Sequence, residues 1–296
     1  MSQNCIICGS DFNPYIDDIV DYEYGVNFSS NLVICSSCGL VTHMPNIKAE
    51  QIPSLYPTSY LAHSAGLKRK GVYGFLKGLL AWRTANNCSK NIPNNGCFLE
   101  IGCGNAELIS EISSLRGDVD FIGVDIEDVV KPTINKFTFI HGQLEDSNIT
   151  ENSVDMIYCS NLIEHVANPR VFLQECRKIL KPNGVIIGVT PDHLSIDRYV
   201  FGKYWAGYHY PRHTYLFNHN NIKKLLRSEG FSKISATGAY GFWYLSMANK
   251  YIELPGLKKR GVLFAVVTAI FLPLDIFVNF FRCSGSMSFI GHKKDC

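Results

Sequence analysis

The chain has 296 residues, 46% of them hydrophobic, and a formal net charge of +2. That length holds a large α/β domain and something smaller, and the charge is too close to zero to argue a nucleic-acid partner. The 11 cysteines, scattered through apolar runs, read as reduced thiols and not as a disulfide framework; Met1-Ser2-Gln3-Asn4-Cys5 lacks the basic and apolar regions of a signal peptide, so a cytoplasmic location is expected.

Residues 1–45 carry Cys5-x-x-Cys8-Gly9 and Cys35-x-x-Cys38-Gly39. Each pair presents two thiolates on a glycine-relaxed turn, and two such turns complete a tetrahedral four-thiolate site. The expectation is a small zinc ribbon with structural Zn2+ on Cys5, Cys8, Cys35 and Cys38. A redox pair would be single and would open a helix. A catalytic zinc needs an open position, which four thiolates do not leave. Residues 46–92 read as a Pro- and Tyr-rich linker followed by a basic helical stretch, 66–89. Its Lys68, Arg69, Lys70, Lys77 and Arg83 alternate with Phe75, Leu76, Leu79, Leu80 and Trp82. Such a helix covers a sheet or lies on a membrane surface.

From 93 onward the pattern becomes α/β. Cys97-Phe98-Leu99-Glu100-Ile101-Gly102-Cys103-Gly104-Asn105-Ala106-Glu107-Leu108 reads as strand, tight glycine turn and helix, which aims backbone N–H groups at a ligand. A dinucleotide turn wants a small residue where Glu107 stands, and Glu100 suits a cationic ligand group rather than a pyrophosphate. Asp125 ends the next apolar run, 23 residues after Gly102, where an acid accepts ribose hydroxyls. Further strands are expected at 137–140, 154–160, 185–189, 231–240 and 286–293. Asn168-Pro169 opens one helix, Lys181-Pro182-Asn183-Gly184 ends it, and Asn218 caps another that stops before Gly230.

The run E-I-G-C-G-N-A, with S-V-D-M-I-Y-C-S-N-L-I-E-H-V-A-N-P and L-K-P-N-G behind it, resembles the class I S-adenosylmethionine (SAM) methyltransferases across roughly residues 95–240. The resemblance implies a Rossmann-like, seven-stranded, mostly parallel sheet with a final antiparallel strand. It also implies SAM as cofactor, with Glu100, Gly102 and Gly104 at the amino-acid end, Asp125 on the ribose and Gln143 at the adenine. Cys103, Leu144 and Ser160 complete the implied set. The two Cys pairs fit a subset of that family.

Tyr210-x-x-His213 followed by Tyr215-x-Phe217 is similar to a segment of the zinc-containing sugar C-methyltransferases, where a Tyr and a His sit beside the substrate. Arg212 stands where that family often carries Glu, which leaves carbon and hydroxyl methylation both open. The expected catalytic residues are His213 or His165 as general base, with Tyr210 orienting a sugar or glycolipid acceptor. Two rivals are RNA methylation and a non-catalytic zinc-ribbon scaffold with a vestigial SAM pocket. Basic residues are too sparse among stacking aromatics for the first, and the glycine turn and Asp125 are intact against the second.

Residues 261–281 are nearly all apolar after Lys258-Lys259-Arg260. A single crossing there would separate 231–240 from 286–293, which belong in one sheet. The expectation is an apolar helical insertion, 242–283, that touches the inner face of a membrane peripherally or closes as a lid.

Overall fold

The computed structural model describes residues 4–57, 71–128, 133–239 and 285–294, together with Gly241, Trp243, Ser246, Asn249 and Lys250. Its larger sheet has seven strands in the order β10-β11-β8-β7-β4-β5-β6. These are β4 (Cys97–Ile101), β5 (Asp120–Asp125), β6 (Phe137–His141), β7 (Val154–Ser160), β8 (Leu180–Pro191), β10 (Phe231–Gly238) and β11 (Ser286–Lys293). Strands β4 to β8 pair in parallel, whereas β11 runs antiparallel between β8 and β10.

The central strands are continuous apolar runs because both of their faces are covered. Phe98, Phe121 and Met156 meet Ala85 and Cys88 of α1 (Gly71–Ser89) and Ile109 and Ile112 of α2 (Glu107–Leu115). Their neighbours Leu99 and Ile157 point the other way, toward Phe172 and Cys176 of α3 (Pro169–Ile179) and Ile222 and Leu225 of α4 (His219–Ser228). The caps are local. Asn168 accepts from the Arg170 N–H at 3.0 Å, and Asn218 accepts from the Asn220 and Asn221 N–H groups, both at 2.9 Å.

The expected 137–140 strand gains His141. The expected 185–189 strand extends back to Leu180, through the Lys-Pro-Asn-Gly stretch read as a helix stop. Val154 pairs with Leu180 and Met156 with Val185, so the intervening residues bulge from the ladder without ending it.

The smaller sheet changes the expected domain boundary at residue 45. Strands β1 (Phe12–Ile16), β2 (Asn31–Cys35) and β3 (Val41–Met44) form an antiparallel ribbon, but β3 then pairs with β9 (Tyr215–Leu216), far along the chain. The Thr42 hydroxyl donates to the Thr214 carbonyl at 2.9 Å, and the Asn218 amide to the Cys38 carbonyl at 3.2 Å. Exposed β3 would otherwise leave an unpaired edge, and β9 covers it. Residues 66–70 of the expected basic helix, and 242, 244, 245, 247, 248 and 251–283 of the expected apolar insertion, lie outside the described residues. Among the described residues no helix is long and apolar enough to cross a membrane.

Candidate active site

Two groups of side chains converge on the C-terminal edge of the large sheet. The first follows the glycine turn. Gly102 and Gly104 adopt φ of +74° and +49°, and an added Cβ on Gly104 would meet nothing within 4 Å, so the turn opens onto free space. Asp125 braces it from the next strand: one carboxylate oxygen accepts the Gly104 N–H at 2.6 Å and the other the Glu127 N–H at 2.9 Å. Glu100 is buried beneath, with Oε2 lacking a hydrogen-bond partner among the described residues, and burial pushes its carboxyl up to about 8. Cys103 is buried behind the turn, Leu144 is buried after β6 under exposed Gln143, and half-buried Ser160 ends β7. The sequence-expected cofactor residues therefore fall on four adjoining strand ends. An orphaned buried carboxylate oxygen beside an open glycine turn fits a ligand that brings a cationic group, as SAM does.

The second group grows from the turn after β7. Leu162 packs its Cδ1 3.6 Å from where a Gly102 Cβ would stand, which sets the two groups side by side. Glu164, fully buried, is strapped to the 204–217 loop: its carbonyl accepts the Thr214 N–H at 2.8 Å, the Thr214 hydroxyl at 2.9 Å and the Tyr215 N–H at 3.2 Å. Its Oε2 accepts from the Thr190 hydroxyl at 3.0 Å, while Oε1 has no hydrogen-bond partner among the described residues and lies 3.9 Å from His213 Nε2. Burial pushes this carboxyl up to about 8.

His213 Nδ1 lies 2.8 Å from the Gly207 carbonyl, and His165 Nδ1 lies 3.1 Å from the Arg212 carbonyl. A carbonyl only accepts, so in both rings Nδ1 carries the proton and Nε2 the lone pair. The rings sit 4.5 Å apart, with the His209 ring 5.0 Å from His213. Burial, then the neighbouring imidazoles, lowers His213 well below its ordinary value and brings His165 down to about 3. Both are neutral at physiological pH.

The N-terminal segment completes this second group. The Tyr56 hydroxyl is 2.8 Å from His165 Nδ1, Glu23 is 3.1 Å from His209 Nδ1, and His43 Nε2 is 3.0 Å from the His213 carbonyl. Arg212, with no exposed surface, makes a bidentate pair with Asp21 at 2.8 Å for both bonds and donates Nε to His209 Nε2 at 3.0 Å. Backbone N–H groups of Tyr24 and Val26 also bond Asp21; although burial opposes it, these bonds and the guanidinium hold its carboxyl below the usual range.

Tyr210, expected to orient the acceptor, points elsewhere. Its hydroxyl donates toward the Phe28 and Ser30 carbonyls at 3.0 and 3.1 Å and accepts the Ser30 N–H at 3.1 Å, so it anchors the N-terminal segment. Sequence reasoning did not single out Glu164, Tyr56, Asp21 or Glu23. Only Glu164 left a signal, an acid inside the apolar stretch Leu162–Val166.

At the ribbon end, Cys5 Sγ lies 3.5 Å from Cys38 Sγ and Cys8 Sγ lies 3.4 Å from Cys35 Sγ, with all four sulfurs within 4.8 Å of one another. These are too long for disulfides and close to the roughly 3.8 Å that a tetrahedral ion with 2.3 Å Zn–S bonds requires. The Cys5–Cys38 hydrogen bond favours the thiolate on Cys5 and the protonated thiol on Cys38. The four side chains fit a zinc ion.

A family model described as "Methyltransferase domain" matches residues 75–236. A Mycolicibacterium smegmatis protein whose name describes an S-adenosylmethionine-dependent methyltransferase is 25% identical over 196 residues, covering 64% of this chain and 70% of that protein. A ubiquinone biosynthesis O-methyltransferase of Maricaulis maris is 28% identical over 156 residues, 48% of this chain and 61% of that one. Among solved structures, Haemonchus contortus phosphoethanolamine N-methyltransferase 2 in complex with SAM is similar in fold, with a TM-score of 0.50 at 16% identity, over 72% of this chain and 53% of that chain.

Proposed function

Since the chain belongs to the methyltransferase-domain family and is a SAM-dependent methyltransferase, we propose that it methylates an oxygen of a small hydroxylated acceptor. The acceptor we favour is a nucleotide- or lipid-linked sugar of polysaccharide or glycoconjugate synthesis. The observation that carries the oxygen chemistry is the buried Glu164–His213 pair, a carboxylate oxygen without a partner 3.9 Å from an imidazole lone pair. The sugar is supported by the likeness of the segment around His213 to one in the sugar C-methyltransferases, of which His213 faces Glu164 while Tyr210 anchors the N-terminal segment.

Bound SAM supplies an electrophilic methyl group. The chain's residues do the rest. Glu100, Gly102, Gly104 and Asp125 hold the cofactor edge, with Gln143, Leu144 and Ser160 at its margin. At the second group, His213 Nε2 accepts the acceptor's hydroxyl proton, and Glu164 Oε1 stabilises the imidazolium so formed. His165, on the same edge, lines the place where the hydroxyl is held. Much of the rate comes from that positioning. Zinc on Cys5, Cys8, Cys35 and Cys38 holds the ribbon whose β3 edge fixes the 204–217 loop. Contact of 261–281 with a membrane surface would suit a lipid-linked acceptor, and vesicle sedimentation tests it.

The function is tested with methyl-labelled SAM and a panel of nucleotide sugars, glycolipids, catechols and RNA. The expected product is a sugar methyl ether, located by mass spectrometry and NMR. Label on a base nitrogen or on carbon overturns the reading. A second acceptor class, an aromatic hydroxyl, is favoured by the relative named as a ubiquinone biosynthesis O-methyltransferase; a labelled catechol would establish it.

A further inference from the structure

We infer that Glu164, His165 and His213 form a second metal site, one that takes a divalent first-row transition ion such as Mn2+, Fe2+, Co2+ or Zn2+ beside the acceptor. This rests on the reading of that cluster as the group that activates the acceptor hydroxyl. One ligand atom from each of the three residues lies within 4.8 Å of the other two. Two imidazoles and one carboxylate, with no thiolate, are the donor set such ions prefer over Mg2+ or Ca2+.

Three independent details favour an ion over three unrelated polar groups. First, Glu164 Oε1 is fully buried, lacks a hydrogen-bond partner among the described residues, and lies on the side of His213 Nε2. A buried acceptor left without a partner is costly unless something else satisfies it. Second, both imidazoles already carry the outer contacts that metal-bound histidines use. Nδ1 of His213 is committed to the Gly207 carbonyl and Nδ1 of His165 to the Arg212 carbonyl and the Tyr56 hydroxyl, which leaves Nε2 of each as the ligating nitrogen. Third, the remaining carboxylate oxygen of Glu164 is held by the Thr190 hydroxyl at 3.0 Å, the usual way an outer residue orients a ligating carboxylate.

Ligands about 2.1 Å from a common ion stand roughly 3.4 Å apart, so the cluster closes on the ion by small side-chain rotations. Three protein donors leave open positions for an acceptor oxygen. With the ion present the imidazoles ligate, and the hydroxyl bound to the ion loses its proton to bulk water. The resulting alkoxide oxygen forms the new O–CH3 bond as the S–CH3 bond of SAM breaks. The site is distinct from the four-thiolate cluster, which is the softer of the two and takes zinc.

The test uses the zinc-loaded full-length chain titrated with Mn2+, read by electron paramagnetic resonance and calorimetry. One saturable Mn2+ per chain is expected, with Kd raised about 100-fold or more in both Glu164→Gln and His213→Asn, beyond the roughly 10–100-fold typical of losing an outer contact. Both variants are checked for native SAM binding, and if one fails to fold the other decides. No saturable Mn2+ binding, or an unchanged Kd in a folded variant, overturns the metal site. If Mn2+ fails to bind while His213→Ala still slows methyl transfer, the ion is excluded and the proton-accepting reading of the cluster stands.

Discussion

The proposed cofactor edge and the proposed acceptor edge lie side by side on one sheet and are built in opposite ways. At the cofactor edge, the turn between β4 and α2 and the end of β5 fix Glu100, Gly104 and Asp125 through backbone geometry and contacts as close as Asp125 to Gly104. At the acceptor edge the decisive pairs are remote: Arg212 with Asp21, 191 residues apart, His43 with the His213 carbonyl, 170 apart, and Tyr56 with His165, 109 apart. The first edge is built from consecutive strands, β4 to β7, and its closest brace joins residues only 21 apart. The second exists only once the N-terminal ribbon has docked on the 204–217 loop, which makes the ribbon part of the proposed acceptor site.

The largest expected effect separates the two edges by activity. His213→Ala and Glu164→Gln, assayed with an identified acceptor, should each lose about 10²–10⁴ in kcat while SAM affinity stays native. A matching loss of SAM binding would merge the two edges into one. Next comes the joint between ribbon and loop. Arg212→Ala leaves Asp21 buried and unpaired and should cost about 3–5 kcal/mol in chemical denaturation. Asp21→Ala should cost a similar amount, and the double variant clearly less than the sum; strict additivity would mean the pair does not join the two segments.

A smaller effect is in pH. Glu100 and Glu164 have folded values raised from 4.5 to about 8, so between those limits the native chain binds more protons than the unfolded one and stability falls as pH rises. The buried histidines act the other way. His43 is lowered from 6.5 to about 4 and His165 to about 3, so their stability is lost as pH falls below 6.5. Below pH 6.5 the two trends oppose each other and above it the acids act alone, so the ligand-free protein should lose stability from pH 6.5 to 8. Glu164→Gln should remove about 2 kcal/mol of the decline between pH 6.5 and 8, at up to about 1.4 kcal/mol per unit. Thermal melts across that range show whether the upper limb flattens. A comparable cost in magnitude is expected for Gly207→Ala, whose Cβ would fall 2.1 Å from the Trp205 ring; the clash should destabilise by about 1–3 kcal/mol and disturb the carbonyl that holds His213 Nδ1.

What was legible in the sequence follows the same division. The seven strands, the caps at Asn168 and Asn218, the glycine turn and the cysteine pairs are written in short-range patterns, because each depends on neighbours a few residues away. The histidines after β7 and β8 were legible as candidates. Their partners were not, because nothing in the stretch around Asp21, Glu23 or Tyr56 records which buried cation or imidazole it will meet. Tyr210 shows the limit most plainly. Its place in an aromatic loop suggested the acceptor, yet its hydroxyl goes to Phe28 and Ser30, a choice made by the docking of β3 on β9.

The separation of the two edges is tested most directly by calorimetry of SAM on the native chain, Asp125→Ala and His213→Ala. The account predicts one SAM per native chain, a loss of about 1.5–3 kcal/mol in Asp125→Ala, and no change in His213→Ala. Native affinity in Asp125→Ala together with lost binding in His213→Ala would contradict it.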